Sequence, residues 1–169
     1  MTTTLNDFEI RQATVADAPL VLSFIKKLAV YEKLANEVTA TEDDLRETLF
    51  GKRRYAEVII GRHRGEPVGF ALFFHNYSTF LGKPGIHLED LYVDEQHRGK
   101  GFGKALLIYL AKLTKDRGCG RLEWFVLDWN EPSIKFYISL GAAPLNDWTV
   151  FRLTGDALDK LSNEQEKPQ

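Results

Sequence analysis

The sequence predicts an α/β fold built on one sheet of mixed strand direction. Three observations lead there. Two helical periodicities come early, behind a first short strand; three strand-like runs then follow in close succession; and a glycine-rich turn opens a tail that alternates helix and strand. The 169 residues, 44% of them hydrophobic and 12% aromatic, suffice for one ordinary domain of about 100–200 residues with its own core. One domain is expected over residues 1–169, with its core at about 8–155 and a polar, frayed tail from Ser162 to Gln169.

The elements follow in order. Phe8 to Arg11 reads as a strand, and Thr14 stands at a helix cap with Asp17 in the first turn. From Ala16 to Tyr31 the residues Leu20, Val21, Phe24, Ile25, Leu28 and Tyr31 recur at three- and four-residue steps, the spacing of one apolar helical face. Thr41, followed by Glu42, Asp43 and Asp44, starts a shorter helix that ends near Gly51. Ala56 to Arg62 and Val68 to Phe74 form a hairpin through Arg64-Gly65-Glu66-Pro67. In Ile86 to Val93 the apolar alternation slips at Glu89-Asp90, which predicts a β-bulge. Lys104 to Arg117 is helical and closes at Gly118 and Gly120. Arg121 to Leu127 reads as a buried strand, Glu131 to Leu140 as a helix capped at Gly141, and Thr149 to Leu153 as a last strand. Trp124, Trp129 and Trp148 are expected to anchor a core or an interface.

Charge and cysteine content narrow the function. A net charge of -2 from 22 basic and 24 acidic residues, interspersed, lacks the basic face of a nucleic-acid binder. The lone Cys119 cannot close an internal disulfide, and the first ten residues do not have the basic-then-apolar build of a signal peptide, so a cytoplasmic location is expected. No apolar run approaches the ~20 residues that cross a bilayer, so no membrane partner is expected. His63, His75, His87 and His97 do not have metal-ligand spacing, and no metal is expected. A Gly-x-Ser-x-Gly nucleophile elbow is absent, and Cys119, between glycines, reads as a turn residue.

The most informative stretch runs from Val93 to Lys104: a strand that passes Gly99, Gly101 and Gly103 straight into a helix. Glycine lets backbone N–H groups approach an anion, and the positive end of the helix dipole points at it. Arg98, Lys100 and Lys104 add positive charge. A plain glycine turn into a helix is the bland alternative. Neither nucleotide motif fits: Gly-x-Gly-x-Gly is not Gly-x-Gly-x-x-Gly, it falls late in the chain, and no Gly-Lys-Ser/Thr follows.

With these residues the chain resembles the GNAT superfamily of N-acetyltransferases, whose acetyl-CoA motif Gln/Arg-x-x-Gly-x-Gly/Ala is met by Arg98, Gly101 and Gly103. The runs Leu28 to Lys33, His87 to Val93, and Trp129 to Tyr137 with Gly141-Ala142 are similar to the diamine (spermidine/spermine) and thialysine acetyltransferases. This resemblance spans most of Phe8 to Leu153. It implies a mixed, mostly antiparallel sheet with helices on both faces and a V-shaped cofactor cleft between the central strands. It also implies that acetyl-CoA lies along the edge of Leu91, Tyr92 and Val93, with its pyrophosphate on the amides of Arg98, Gly99, Lys100, Gly101, Phe102, Gly103 and Lys104. Asn130, Ser133 and Tyr137 complete the cofactor contacts, and a homodimer is implied, with the apolar stretch Trp148 to Leu153 suited to pack across subunits.

Acetyl transfer to an alkyl amine needs a base and an acid. At neutral pH only about one alkyl amine in 10³ is unprotonated, a cost of roughly 4 kcal/mol. The resemblance makes Glu89 the base, through a water, and Tyr137 the acid that protonates the departing thiolate. A structural Glu89, tying down groups near the bulge, and a Tyr137 that is a core aromatic are the alternatives. Glu32 and Asp90 match acidic positions on the substrate side. Ser78 and Phe80 stand where the polyamine enzymes carry an aspartate and a tryptophan, which favours a shorter amine or a thialysine-like amino acid over a long polyamine. A protein lysine or N-terminus as acceptor and a non-catalytic CoA-binding module remain as other readings.

Overall fold

Five strands in chain order make one sheet in the computed structural model, which describes residues 5 and 7–164. They are β1 (Phe8–Gln12), β2 (Glu57–His63), β3 (Glu66–Ser78), β4 (Lys83–Val93) and β5 (Leu122–Trp124). The first three pairings are antiparallel and the last, β4 with β5, is parallel. Three helices belong with the sheet: α1 (Ala18–Tyr31), α2 (Glu42–Phe50) and α3 (Phe102–Asp116). These elements form a unit that ends at Leu127; a smaller unit begins at Asp128 and holds α4 (Glu131–Ser139) and α5 (Gly155–Ser162).

Strand alternation explains why the sheet is covered on both faces. Val58, Phe70, Leu72 and Tyr92 share one face and pack with Val21, Phe24 and Leu28 of α1 and Leu45 and Leu49 of α2. The Phe24 and Phe70 rings stack at 5.4 Å, with both side chains almost wholly buried. Each large apolar side chain so buried contributes about 1.5–3 kcal/mol. On the opposite face α3 lays Leu106 and Leu110 against the strands, and its Arg117 cap stands over Phe73. Gly61 makes this approach possible: a Cβ there would stand 2.7 Å from the Phe8 ring and 3.7 Å from Leu106. Phe8 instead stacks on Phe102, the first residue of α3, with ring centroids 4.4 Å apart.

The caps form where the sequence places them. Thr14 N–H donates to Asp17 at 2.7 Å, and Asp17 also takes both Arg11 guanidinium nitrogens at 2.7 and 2.8 Å. Thr41 and Asp44 exchange bonds of 2.8 and 3.2 Å in a second capping box. The first helix opens with a short 3-10 turn, Val15–Asp17, before α1, because Pro19 brings no N–H to the first α-helical turn. Arg64 and Gly65, both left-handed, make the two-residue turn between β2 and β3.

Four expectations of secondary structure are corrected. The strands expected over Val68 to Phe74 and Ile86 to Val93 run on to Ser78 and back from Lys83 as one hairpin, because main-chain pairing continues through the polar residues His75 and Asn76. The strand after α3 is only three residues and half-buried, rather than a buried run to Leu127. Thr149 to Leu153 forms no strand: its β-branched and aromatic residues favour extension, but among the described residues it has no strand partner to supply a ladder. Ser162 closes α5 rather than opening a frayed tail; residues 165–169 of that expected tail lie outside the described residues. None of the three tryptophans is in the buried core, and Trp148 is 76% exposed.

Candidate active site

The parallel pairing of β5 with β4 covers only Ile86 to Leu88. β4 continues to Val93 with β3 on one side and, among the described residues, no strand on the other. Leu91, Tyr92 and Val93 therefore present a backbone edge of the kind an extended ligand can extend by main-chain pairing.

A bulge marks the start of this edge. Asp90 pairs with Leu72 and Leu88 with Phe73, so Glu89 is the extra residue, as the broken alternation predicts. The insertion turns Asp90 to the face of Leu72 and leaves Leu88 on the face of Phe73. Glu89 Oε2 lies 3.7 Å from His87 Nε2; the Glu89 side chain is 55% exposed and that of His87 only 7%. Phe74 and Phe125 hold the imidazole with ring centroids at 5.0 and 4.8 Å.

Burial, reinforced by the negative charges of Glu89 and Glu32, pushes the Asp90 carboxyl up to about 7. Burial also raises Glu32. Glu32 is brought here by the end of α1: its N–H caps Leu28 O, Lys33 takes a left-handed φ of 63°, and Leu34 N–H returns to Ala29 O at 2.8 Å. Three carboxylates named by the sequence are thus gathered within electrostatic reach of one another, a grouping that costs stability and suits a cation.

The glycine loop follows β4. Gly99 and Gly101 have φ of 74° and 85°, a region closed to most side chains, and Gly101 is the cap from which α3 starts. The first turn of α3 has no acidic residue, and its leading N–H groups have no acceptor within the helix, so Gly101, Phe102, Gly103 and Lys104 fit an anion such as a pyrophosphate. Lys100 and Lys104 are exposed beside it. Arg98 is turned toward α1 instead: its Nε donates to Val93 O at 3.0 Å and its guanidinium lies over Tyr31 and Tyr92 at 4.6 and 5.6 Å. It braces the loop against the helix that carries Glu32.

In the smaller unit, Asn130 is 5% exposed and caps α4, its Oδ1 accepting from Ser133 N–H at 3.4 Å. Tyr137 lies two turns on, so 130, 133 and 137 share one helical face. The half-buried Tyr137 ring sits 5.4 Å from Phe136, and its carbonyl accepts from Ala142 N–H beyond the left-handed Gly141. Among the described residues no group of three or more His, Cys, Asp or Glu is placed to hold a metal ion.

Comparison with known proteins fixes the family. The model of the acetyltransferase (GNAT) family matches residues 26–142, which include the bulge, the glycine loop and α4. The chain belongs to the GNAT acetyltransferase family. Acetyl-CoA is the donor that GNAT acetyltransferases use. This GNAT chain is 37% identical to a thialysine N-ε-acetyltransferase of Caenorhabditis elegans, over 95% of its own length and 100% of the relative's. It is 35% identical to an L-ornithine N5-acetyltransferase of Arabidopsis thaliana, over 90% and 88% of the two chains. The solved structure of an integron cassette protein from the mobile metagenome of V. cholerae superposes with a TM-score of 0.79 at 25% identity, covering 94% of this chain and 99% of that one.

His87 is the residue of this site that sequence reasoning missed. Its spacing of two from Glu89 on one strand was the available signal; Phe125, which covers it, is far along the chain.

Proposed function

We propose that this GNAT acetyltransferase moves the acetyl group of acetyl-CoA to the primary amine of a small molecule, a diamine, a polyamine or a thialysine-like amino acid. The observation that carries the reading is the gathering of Glu32, Glu89 and Asp90 at the start of the free β4 edge: it offers negative charge to an ammonium group and a carboxylate to deprotonate it. The similarity to thialysine and ornithine acetyltransferases supports the same class of acceptor. Ser78 is buried and Phe80 95% exposed at the hairpin tip, so no carboxylate is added there for a second distant ammonium, which favours the shorter amines.

Acetyl-CoA supplies a thioester already activated toward amines. The edge from Leu91 to Val93 receives its pantetheine arm, and the loop from Arg98 to Lys104, with Asn130 and Ser133, its remaining polar groups. Asp90 and Glu32 hold the ammonium. Glu89 accepts its proton through a water, so that the amine attacks directly without a covalent enzyme intermediate. Tyr137 gives its phenolic proton to the sulfur that leaves. We read the two units as parts of one acetyltransferase domain, because the family match runs across both. We also propose a cytoplasmic homodimer.

Thiol release from acetyl-CoA across diamines, polyamines, thialysine, ornithine and lysine peptides tests the reading. Saturation by one small amine is expected, with Tyr137→Phe slowing kcat about 10²-fold. Glu89→Gln is expected to slow the reaction and alter the acid limb of its pH profile; an unchanged profile removes Glu89 from the mechanism. Turnover of peptides alone points to a protein acceptor, and CoA binding without turnover to a binding module.

A further inference from the structure

Glu89 is an exposed group in a position that demands accuracy. Its side chain is more than half exposed, it sits on the unpaired residue of a bulge, and a base that works through one water must be held in a narrow geometry. The fixed group beside it is His87. Main-chain pairing locks His87 from both sides, to Phe74 of β3 and Glu123 of β5. The rings of Phe74 and Phe125 close over its two flanks and leave it 6% exposed. A histidine so enclosed costs desolvation, and the enclosure leaves Nε2 directed at one charged group, the Glu89 carboxylate 3.7 Å away.

We propose that His87 is a positioning residue for the acetyl-transfer reaction, its Nε2–H fixing the Glu89 carboxylate at the bulge. The inference rests on the reading of Glu89 as the base. The distance is that of a charge contact rather than a hydrogen bond, and rotation of the exposed Glu89 side chain closes it. The other titratable groups on the packed elements are accounted for. Asp90 lies one residue beyond Glu89, Glu32 approaches from the end of α1, and Glu123 is engaged by Asn76 and by Arg121 at 3.3 Å. Glu89 is therefore the carboxylate left for His87 to orient.

His87→Phe tests this, since a phenyl ring fits between two phenyl rings and removes only the polar function. The expected result is a kcat about tenfold lower with a KM for acetyl-CoA within twofold of the parent. His87→Gln, which retains an N–H donor, recovers most of the rate. A second readout needs no change in the buried site: the imidazole ¹⁵N resonances of His87 shift at constant pH when Glu89→Gln is introduced. If Glu89→Gln slows the enzyme while the folded His87→Phe protein keeps its rate, or if the ¹⁵N resonances stay unmoved, the role of His87 is overturned and that of Glu89 stands. If Glu89→Gln changes neither rate nor profile, the base assignment fails and His87 falls with it.

Discussion

Asp90 shows how a single residue carries opposite demands. Burial and two neighbouring carboxylates raise its carboxyl from the ordinary 3.8 to about 7, so the folded protein holds the proton more tightly than the unfolded chain does. Its contribution to stability is most favourable below pH 3.8 and declines as pH rises from there to about 7. An ammonium ligand needs the charged form, which forms only above that range. Asp90→Asn is therefore expected to raise the melting temperature at pH 8 by about 2–4 °C, the equivalent of about 1 kcal/mol in a chain of this size. The same change should raise the KM for the amine about tenfold at pH 8 and abolish its increase as pH falls through 7. Calorimetry and initial rates measure the two effects; a variant neither more stable nor weaker toward amine would show that Asp90 lies outside the binding site.

At the scale of elements, the bulge within β4 and the turn that opens α3 do different work. Glu89 breaks the strand where three carboxylates gather, and Gly101 starts the helix where an anion fits. Gly101→Ala places a side chain at φ 85°, which costs about 1–2 kcal/mol of backbone strain without crowding, since a Cβ there meets nothing nearer than Leu5 at 3.5 Å. The expected result is a KM for acetyl-CoA several-fold higher with kcat little changed; an unaltered KM would separate this helix terminus from donor binding. Both features were legible because each breaks a local pattern, one an alternation and the other a helical start. The true extent of the β3–β4 hairpin was not, since its outer part is paired through main chain whatever the side chains are. His87 was hidden for another reason: its environment is made by Phe125, which the fold and not the local sequence brings to it.

For the whole molecule, the family and its sheet could be read from motifs spread along most of the chain, whereas assembly could not. Leu145, Trp148, Val150, Phe151 and Leu153 are each more than half exposed, a run of apolar side chains open to burial against a partner. If the proposed homodimer uses it, Phe151→Ser combined with Trp148→Ser will convert a dimer to a monomer in sedimentation velocity, with the helical signal retained; a double variant that sediments as the parent does removes this surface from the interface. The bulge has a consequence for how such an enzyme can change over time. Glu89 is one odd residue between two stretches of regular pairing, so Lys83 to Leu88 and Asp90 to Val93 keep opposite parity. The hairpin tip around Phe80 and the loop around Gly99 therefore occupy separate reading frames joined at a single position. A descendant can lengthen or reshape the tip while the loop that opens α3 keeps its register, but it cannot lose residue 89 without turning one of the two stretches inside out.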